Sequence, residues 1–171
     1  MLRCRAVPRG ERERAHSERS VNSLAVGEPK IRTMTELDIE AIAGIDERVS
    51  GRYRPEVWED RAVYYIRRDP DAPQVAELDG KVVGFMMGEV RGGEFGLEEP
   101  TGWVEFFGVD PSARGRQIGR RLLEALVAHF RERGARVART MVREQDQEIA
   151  GFLRAMGFTP ARVLPLERRP L

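Results

Sequence analysis

The stretch that decides the fold runs from Trp103 to Leu123 and reads WVEFFGVDPSARGRQIGRRLL. Its first part has the pattern of a strand that ends at Val109. A basic loop with glycines follows, and from Ile118 the apolar residues recur at helical spacing. Because a helix that starts after a strand and a loop presents free backbone N–H groups, its N-terminus attracts anions. The stretch therefore predicts a site for a phosphate-bearing ligand.

Glycines and arginines in the loop strengthen this prediction. Gly115 and Gly119 allow the backbone to approach a phosphate closely. Neither the three closely spaced glycines of a dinucleotide-binding loop nor the Gly-Lys-Ser/Thr of a Walker loop is present. A polar loop followed by an arginine-rich helix face, without a ligand, is the alternative. The positive charge comes from Arg114, Arg116, Arg120 and Arg121.

The remaining periodicities predict a mixed α/β domain. Two helices begin near Thr35 and Pro55, and Asp79-Gly80 suits a tight hairpin turn between two strands. The predicted order is β-α-α-β-β-β-α-β-α-β. Its strands are Lys30–Met34, Gln74–Leu78, Lys81–Val90, Gly102–Val109, Val137–Val142 and Phe158–Leu166, and its later helices are 118–133 and Gln147–Met156.

Composition limits the classes of protein that this chain can belong to. The 171 residues suit one globular domain, which we place at residues 30–171. With 29 basic against 28 acidic side chains, no net field favours nucleic acid. No apolar run is long enough for a membrane span, and no secretory leader is visible. The one cysteine, Cys4, predicts neither a disulfide nor a zinc site, so we expect a cytoplasmic protein without a metal.

Residues 1–29 differ from the rest of the chain. They contain six arginines among Glu, Ser, Gly and Pro, without a sustained apolar period. Such a segment buries too little apolar surface to offset the entropy lost on ordering. We therefore expect a flexible basic extension, and a start codon assigned too far upstream is the alternative.

The strand, loop and helix resemble the coenzyme A-binding segment of the GNAT family of N-acetyltransferases. Arg114, Gly119 and the preceding Val109-Asp110-Pro111 match the family pattern, whereas Gln117 stands where its middle glycine usually does. Downstream, Gly157-Phe158 resembles the family's closing Gly-Phe pair. The resemblance covers roughly residues 30–168. It implies the GNAT fold, with helices on both faces of a sheet that splays between the fourth and fifth strands, and acetyl-CoA as cosubstrate.

The same resemblance implies a set of cofactor-binding residues. The end of the fourth strand would line the pantetheine arm, a backbone N–H near Val109 would polarise the thioester carbonyl, and the loop would hold the pyrophosphate. Asp146 stands where the family often has an asparagine. The implied set is Phe107, Gly108, Val109, Arg114, Gly115, Arg116, Gln117, Ile118, Gly119, Arg120 and Asp146.

Acetylation of an amine requires a base, because an alkyl amine is mostly protonated at neutral pH. Glu105 is our candidate, since it precedes Val109 by four residues and alternation places it on the face of Trp103 and Phe107. The family often carries a glutamate at this strand position. A solvated acid or an ion-pair partner is the alternative role for Glu105.

The general acid is harder to place. Leu153 occupies the position at which the family commonly has the tyrosine that returns a proton to the thiolate. A water molecule, an unassisted thiolate or another tyrosine are the alternatives. Tyr53, in the loop between the first two helices, is our candidate among the tyrosines for the acid or for a contact with the acceptor.

These residues predict an N-acetyltransferase that transfers the acetyl group to a primary amine of a small molecule or protein, by direct attack in a ternary complex. The alternatives are an acyl-CoA-binding module without turnover and, from the basic extension, a nucleic-acid-associated protein. A homodimer is compatible with the family. The acids of the loop before the fourth strand, Glu94, Glu98 and Glu99, are either solvated or favour a cationic acceptor.

Overall fold

The computed structural model describes residues 27–96 and 98–170. Over those residues the order of elements follows the predicted order as far as the last helix. The elements are β1 (Lys30–Thr33), α1 (Ile39–Ser50), α2 (Pro55–Arg68), β2 (Gln74–Leu78), β3 (Lys81–Arg91), β4 (Thr101–Val109), α3 (Ile118–Glu132), β5 (Val137–Arg139) and α4 (Gln147–Ala155).

Local signals in the sequence set several of these bounds. The backbone N–H of Thr35 donates to Asp38 Oδ2 over 2.8 Å in the turn that leads into α1. Pro55 stands in the first turn of α2, where its missing N–H costs nothing. Asp79 and Gly80 both have positive φ, as the predicted hairpin turn between β2 and β3 requires.

The described strands form one sheet in the order β1-β2-β3-β4-β5. Adjacent strands from β1 to β4 are antiparallel to each other, and β5 runs parallel to β4. The β4–β5 pairing covers only Thr101–Trp103 against Val137–Arg139. Among the described residues, no strand pairs with β4 on that side from Val104 to Val109. The sheet therefore opens between its fourth and fifth strands, as the family resemblance implied.

Helices cover both faces of the sheet. One core joins α3 to the sheet through Leu122, Leu126 and Phe130, all of them buried. The other core joins α1 and α2 to the opposite face through Ile42 and Trp58. Each face of the central strands is therefore held in place by packed apolar side chains.

The predicted last strand, Phe158–Leu166, is absent from the structure. Residues 158–170 have no regular secondary structure, and the side chains of Leu164 and Leu166 are exposed. Pro160 and Pro165 lack the N–H that a strand donates to its neighbour, which interrupts any ladder over this segment. The predicted fifth strand is also shorter than expected, because β5 ends at Arg139.

The predicted flexible extension falls outside the described residues except for residues 27–29. Within these, the carbonyl of Pro29 accepts a 2.7 Å hydrogen bond from Arg121 Nη1 of α3, so the chain just before β1 contacts that helix. Over the described parts of the chain, no helix combines the length and the apolar character that a bilayer span requires.

Candidate active site

A bulge in β4 determines the direction of Glu105. Met87 of β3 pairs with Phe106 and the next residue, Gly88, pairs with Val104, which leaves Glu105 as an extra residue without a cross-strand partner. The bulge places Glu105 and Phe106 on the same face, toward α2. The expectation that Glu105 shares a face with Phe107 is therefore wrong.

Beyond the bulge, normal alternation resumes. Phe107 lies on the opposite face, where its ring centroid is 6.4 Å from that of Phe152 in α4. Phe106 packs edge-on against Trp58 and Tyr65 of α2. Glu105 and Phe107 therefore belong to different faces of the sheet and have different neighbours.

Two polar side chains hold the Glu105 carboxylate. The Tyr65 hydroxyl donates to Oε2, and Arg91 Nη2 donates to Oε1 over 2.5 Å. Burial and the bond to Glu105 raise the pKa of Tyr65 well above its ordinary value, so its hydroxyl stays protonated and remains a donor. The alternative role for Glu105 was that of an ion-pair partner, and the structure contains such a pair between Glu105 and Arg91.

A second, more deeply buried carboxylate lies behind this pair. Glu89 is 4% exposed and accepts hydrogen bonds from Arg91 Nε over 2.7 Å and from Arg68 Nε over 3.3 Å. The Tyr64 hydroxyl adds a contact of 3.2 Å. Because Arg91 bridges Glu89 and Glu105, its guanidinium is fixed on two sides.

A cleft of about 680 Å³ opens in front of Glu105. It lies at the place where β4 extends beyond its pairing with β5. Its walls come from five parts of the chain: Ile45, Asp46 and Val49 of α1; Arg54, Trp58 and Arg61 at and within α2; Phe85 of β3; 105–108 of β4; and 141–143, Asp146 and Ile149 around the start of α4.

A larger hollow of about 1010 Å³ lies between α3, β5 and residues 155–162. Part of its lining, residues 158–162, belongs to the segment that was predicted to form the last strand. Neither Glu105 nor Gly115 lines this hollow. The smaller cleft is therefore the candidate active site, because it contains the candidate base and the opening of the sheet.

The loop after β4 is shaped for close approach to a ligand. Asp110, which is mostly buried, accepts bonds from the backbone N–H of Ser112 over 2.9 Å and from Arg48 Nε over 2.9 Å, and so fixes the start of the loop. Gly115 has φ +80° with nothing within 4 Å of an added Cβ. Gln117 also has positive φ, at 58°, which explains why the family usually has glycine at this position.

The N-terminus of α3 has the features of an anion-binding site. No side chain of the described residues caps this helix, and its first backbone bond from the loop runs from Arg121 N to Gln117 O over 3.0 Å. The N–H groups of Ile118, Gly119 and Arg120 therefore have no intrahelical acceptor and carry the positive end of the helix dipole. An added Cβ on Gly119 would lie 3.4 Å from Phe152, so the backbone is closely packed on that side.

The arginines of the loop take different directions. Arg114 lies 3.4 Å from Glu148, Arg120 lies 2.8 Å from Glu124, and Arg121 turns away from the loop toward Pro29. All of these side chains remain partly exposed to solvent. They add positive charge around the loop without filling the space in front of the helix.

Tyr53, Leu153 and Asp146, the three positions discussed with the acid and the cofactor, have different surroundings. The Tyr53 hydroxyl donates to Glu40 Oε1 over 2.7 Å, and Tyr53 is not among the residues that line the cleft. Leu153 is 4% exposed and has no proton to give. Asp146 lines the cleft and accepts two bonds from Arg143, over 2.8 and 3.0 Å.

Of the predicted site residues, Glu105, Phe107, Gly108 and Asp146 line the cleft. Tyr53, Val109 and residues 114–120 lie outside its lining. Sequence reasoning missed Tyr65, Arg91 and Arg61. No motif marks them: Tyr65 and Arg61 come from α2, and Arg91 is the last residue of β3. Only the register of the β3–β4 pair, which the sequence does not fix, would have placed Arg91 near Glu105.

Comparisons with known proteins point to one family. The model of the acetyltransferase (GNAT) family matches residues 40–158. An acetyltransferase of Pectobacterium atrosepticum is 30% identical over 143 residues, which cover 82% of this chain and 94% of that protein. A mycothiol acetyltransferase of Thermobispora bispora is 33% identical over 118 residues, but the match spans only 37% of its length.

Solved structures show the same fold. The aminoglycoside N-acetyltransferase AAC(6')-Iy in complex with CoA superposes with a TM-score of 0.70 at 20% identity, over 83% of this chain and 95% of that one. Together with the family match, this establishes the class of the protein. The chain belongs to the acetyltransferase (GNAT) family, the acetyl-CoA-dependent N-acetyltransferases that its loop, strand order and Gly-Phe pair resemble.

Proposed function

We propose that this protein transfers the acetyl group of acetyl-CoA to a primary amine by direct attack in a ternary complex, with Glu105 as the general base. The observation that carries the proposal is the bulge in β4. It turns Glu105 toward α2, and Glu105 is one of the residues that line the cleft at which the sheet opens. Because the solved neighbour acts on aminoglycosides, we favour a small-molecule amine as acceptor.

The residues that would bind acetyl-CoA come from two adjoining parts of the chain. The free N–H groups of Gly115 through Arg120 would bind the diphosphate, assisted by the charges of Arg114 and Arg116. The backbone of Phe107, Gly108 and Val109 would contact the pantetheine arm, with Asp146 at the cleft. When bound, acetyl-CoA supplies the activated thioester carbonyl.

Glu105 would remove the proton that keeps the acceptor amine from reacting. Each of its carboxylate oxygens accepts one bond, from Tyr65 or from Arg91, and keeps a lone pair for the amine or a bridging water. Glu105 passes this first proton to solvent, and the neutral amine then forms the N–C bond to the acetyl carbon. The C–S bond breaks with its electron pair on the thiolate, and the second proton, which the acylated nitrogen loses, passes to Glu105. Tyr65 and Arg91 keep the carboxylate oriented during this transfer.

Protonation of the leaving thiolate does not require a tyrosine at position 153. Leu153 is buried and cannot donate, and Tyr53 is bonded to Glu40. We propose that the thiolate leaves without a protein acid. Tyr53→Phe tests this directly: unchanged kcat supports the proposal, and a fall in kcat of about tenfold or more would identify Tyr53 as the acid.

The experiment begins with calorimetric titration of acetyl-CoA, with ATP and NADH as controls, followed by thiol release with a panel of small amines. We expect Glu105→Gln to lower kcat by about 10²–10⁴-fold, the usual contribution of a general base, with acetyl-CoA binding intact. Glu59→Gln, an exposed glutamate of α2, is the matched control. Binding without thiol release for any amine would favour the acyl-CoA-binding module, and unchanged kcat in Glu105→Gln would remove Glu105 from the mechanism.

A further inference from the structure

The cleft contains an arginine, Arg61, that forms no ion pair with any of the described residues. Arg61 of α2 is half-buried and lines the cleft together with Glu105. Its Cζ lies 4.4 Å from the ring centroid of Phe106 and 5.1 Å from that of Trp58. These distances are typical of cation–π contacts, so the two rings hold the guanidinium in a defined position.

Each carboxylate that lines the cleft already has an arginine partner. Asp46 pairs with Arg54 over 2.7 Å, and Glu105 pairs with Arg91 over 2.5 Å. Asp146 and Arg143 form a third pair, over 2.8 Å. Among the described residues, Arg61 makes no such ion pair, and its contacts are with the two aromatic rings. The lining of the cleft therefore presents one unneutralised positive charge.

Aromatic rings stabilise a guanidinium but accept none of its five N–H donors in the plane of the group. A carboxylate or phosphate presents oxygens that match this planar fork and form charge-assisted hydrogen bonds with it. We infer that the acceptor is a primary amine that carries an anionic group on the same molecule, and that Arg61 binds this group. The inference rests on the proposed function, because it assigns a substrate class to the same cleft.

The charges of the cleft also disfavour a polycationic acceptor. A second ammonium group would need an acidic partner, and the three acidic residues of the lining are occupied by arginines. Glu98 and Glu99, which the sequence left as possible contacts for a cationic acceptor, do not line the cleft. Arg61 would repel such a substrate from the position beside Phe106.

The test compares acceptors that differ only in the anionic group. The probes are the L-amino acids against their α-amides, and glucosamine 6-phosphate against glucosamine, with spermidine and an aminoglycoside as polycations. Thiol release gives kcat/KM for each. We expect the anionic member of at least one pair to exceed its counterpart by about tenfold or more, the range of a charge-assisted hydrogen bond. A preference within the amino-acid pair indicates that Arg61 binds a carboxylate, and a preference within the glucosamine pair indicates a phosphate.

Variants then assign the preference to Arg61. Arg61→Gln should bring the ratio within a pair close to one, mainly by raising KM for the anionic member, whereas Arg61→Lys should keep part of the preference. Arg67→Gln is the matched control, since Arg67 is an exposed arginine of the same helix outside the cleft. It should leave every ratio unchanged.

The outcomes separate this inference from the proposed function. Turnover of neutral or polycationic amines without preference for the anionic members would overturn the inference and leave the acetyltransferase function standing. A preference that survives in Arg61→Gln would also overturn it. No thiol release with any acceptor, despite binding of acetyl-CoA, would reject the proposed function and the inference with it.

Discussion

The hydroxyl of Tyr65 donates a hydrogen bond to Oε2 of Glu105, and this bond joins α2 to the bulge of β4. Tyr65 is itself 4% exposed, so the helix presents the hydroxyl from a packed position. Arg91 approaches the other carboxylate oxygen from β3. The candidate base is therefore oriented by side chains of α2 and β3, and packing in the core holds both of these elements in place.

Tyr65→Phe removes this hydrogen bond and keeps the packing of the ring. We expect kcat to fall by about tenfold, because a hydrogen bond to a charged group contributes about 1.5–3 kcal/mol and Arg91 still holds the carboxylate. Affinity for acetyl-CoA should not change, as Tyr65 is not one of the residues that we propose to bind it. Steady-state kinetics and calorimetric titration measure the two effects. Tyr64→Phe removes only the 3.2 Å contact to Glu89, which reaches Glu105 through Arg91, so it should lower kcat less than Tyr65→Phe does. Equal losses in both variants would contradict this explanation.

Gln117→Gly tests the departure of the loop from the family pattern. Gln117 has φ 58°, a conformation that costs a residue with a side chain about 1 kcal/mol more than glycine. We expect the variant to be more stable by about 0.5–1 kcal/mol and to unfold about 2–4 °C higher. Thermal and denaturant unfolding measure this.

The control for that variant is Gln145→Gly, an exposed glutamine without positive φ. It should not stabilise the protein, because added glycine only increases the freedom of the unfolded chain there. A Gln117→Gly variant less stable than the wild type would mean that the Gln117 side chain makes a contribution that outweighs the backbone conformation.

Gly119→Glu tests the position of the diphosphate. The substitution adds a negative charge and bulk at the first turn of α3, where free N–H groups point toward the expected phosphates. We expect calorimetric titration to detect no binding of acetyl-CoA. The fold should persist, since an acidic residue in the first turn of a helix is favourable. Gly119→Ala should lose much less affinity, and wild-type affinity in Gly119→Glu would show that the loop has been misassigned.

Asp38→Asn tests the connection between β1 and α1. Burial alone would raise the pKa of Asp38, but hydrogen bonds from Arg32 and from the Thr35 backbone outweigh it and hold the pKa below its ordinary value. A carboxylate with a lowered pKa in the folded state stabilises the protein above its unfolded pKa, about 4, and this contribution disappears as the pH falls through the folded pKa.

The variant should therefore reduce the free energy of unfolding by about 1–3 kcal/mol at pH 7. The difference from the wild type should shrink as the pH falls below about 4. Denaturant unfolding at several pH values measures it. Asp60→Asn, at an exposed position of α2, should show neither effect. A difference that is constant from pH 7 to pH 3 would exclude the charge of Asp38 as its source.

The sequence predicted the elements with strong local signals. The strand, loop and helix around Gly119, the Asp79-Gly80 turn and the proline-led helix α2 all appear where their residues indicate. The prediction of the last strand, Phe158–Leu166, is wrong because Pro160 and Pro165 cannot donate to a ladder. Where turn residues, glycines or a leading proline indicated a single structure, these local signals were sufficient to predict the element.

The candidate site was predicted only in part. The choice of Glu105 came from its place on the strand, whereas its face and its partners depend on the bulge. A bulge arises from how two strands align, and Arg91 and Tyr65 reach Glu105 only through tertiary packing. Arg61 was missed for the same reason, since its lack of an acidic partner is a property of the assembled cleft.

The bulge has a consequence for how the gene can change. Glu105 is the surplus residue of β4, so loss of its single codon would bring Val104 and Phe106 into register with Gly88 and Met87 without interruption. Such a deletion would make β4 a more regular strand and, on our proposal, would remove the base. The deletion would also remove the carboxylate that Tyr65 and Arg91 bond, so one codon determines both the geometry of the strand and the presence of the candidate base.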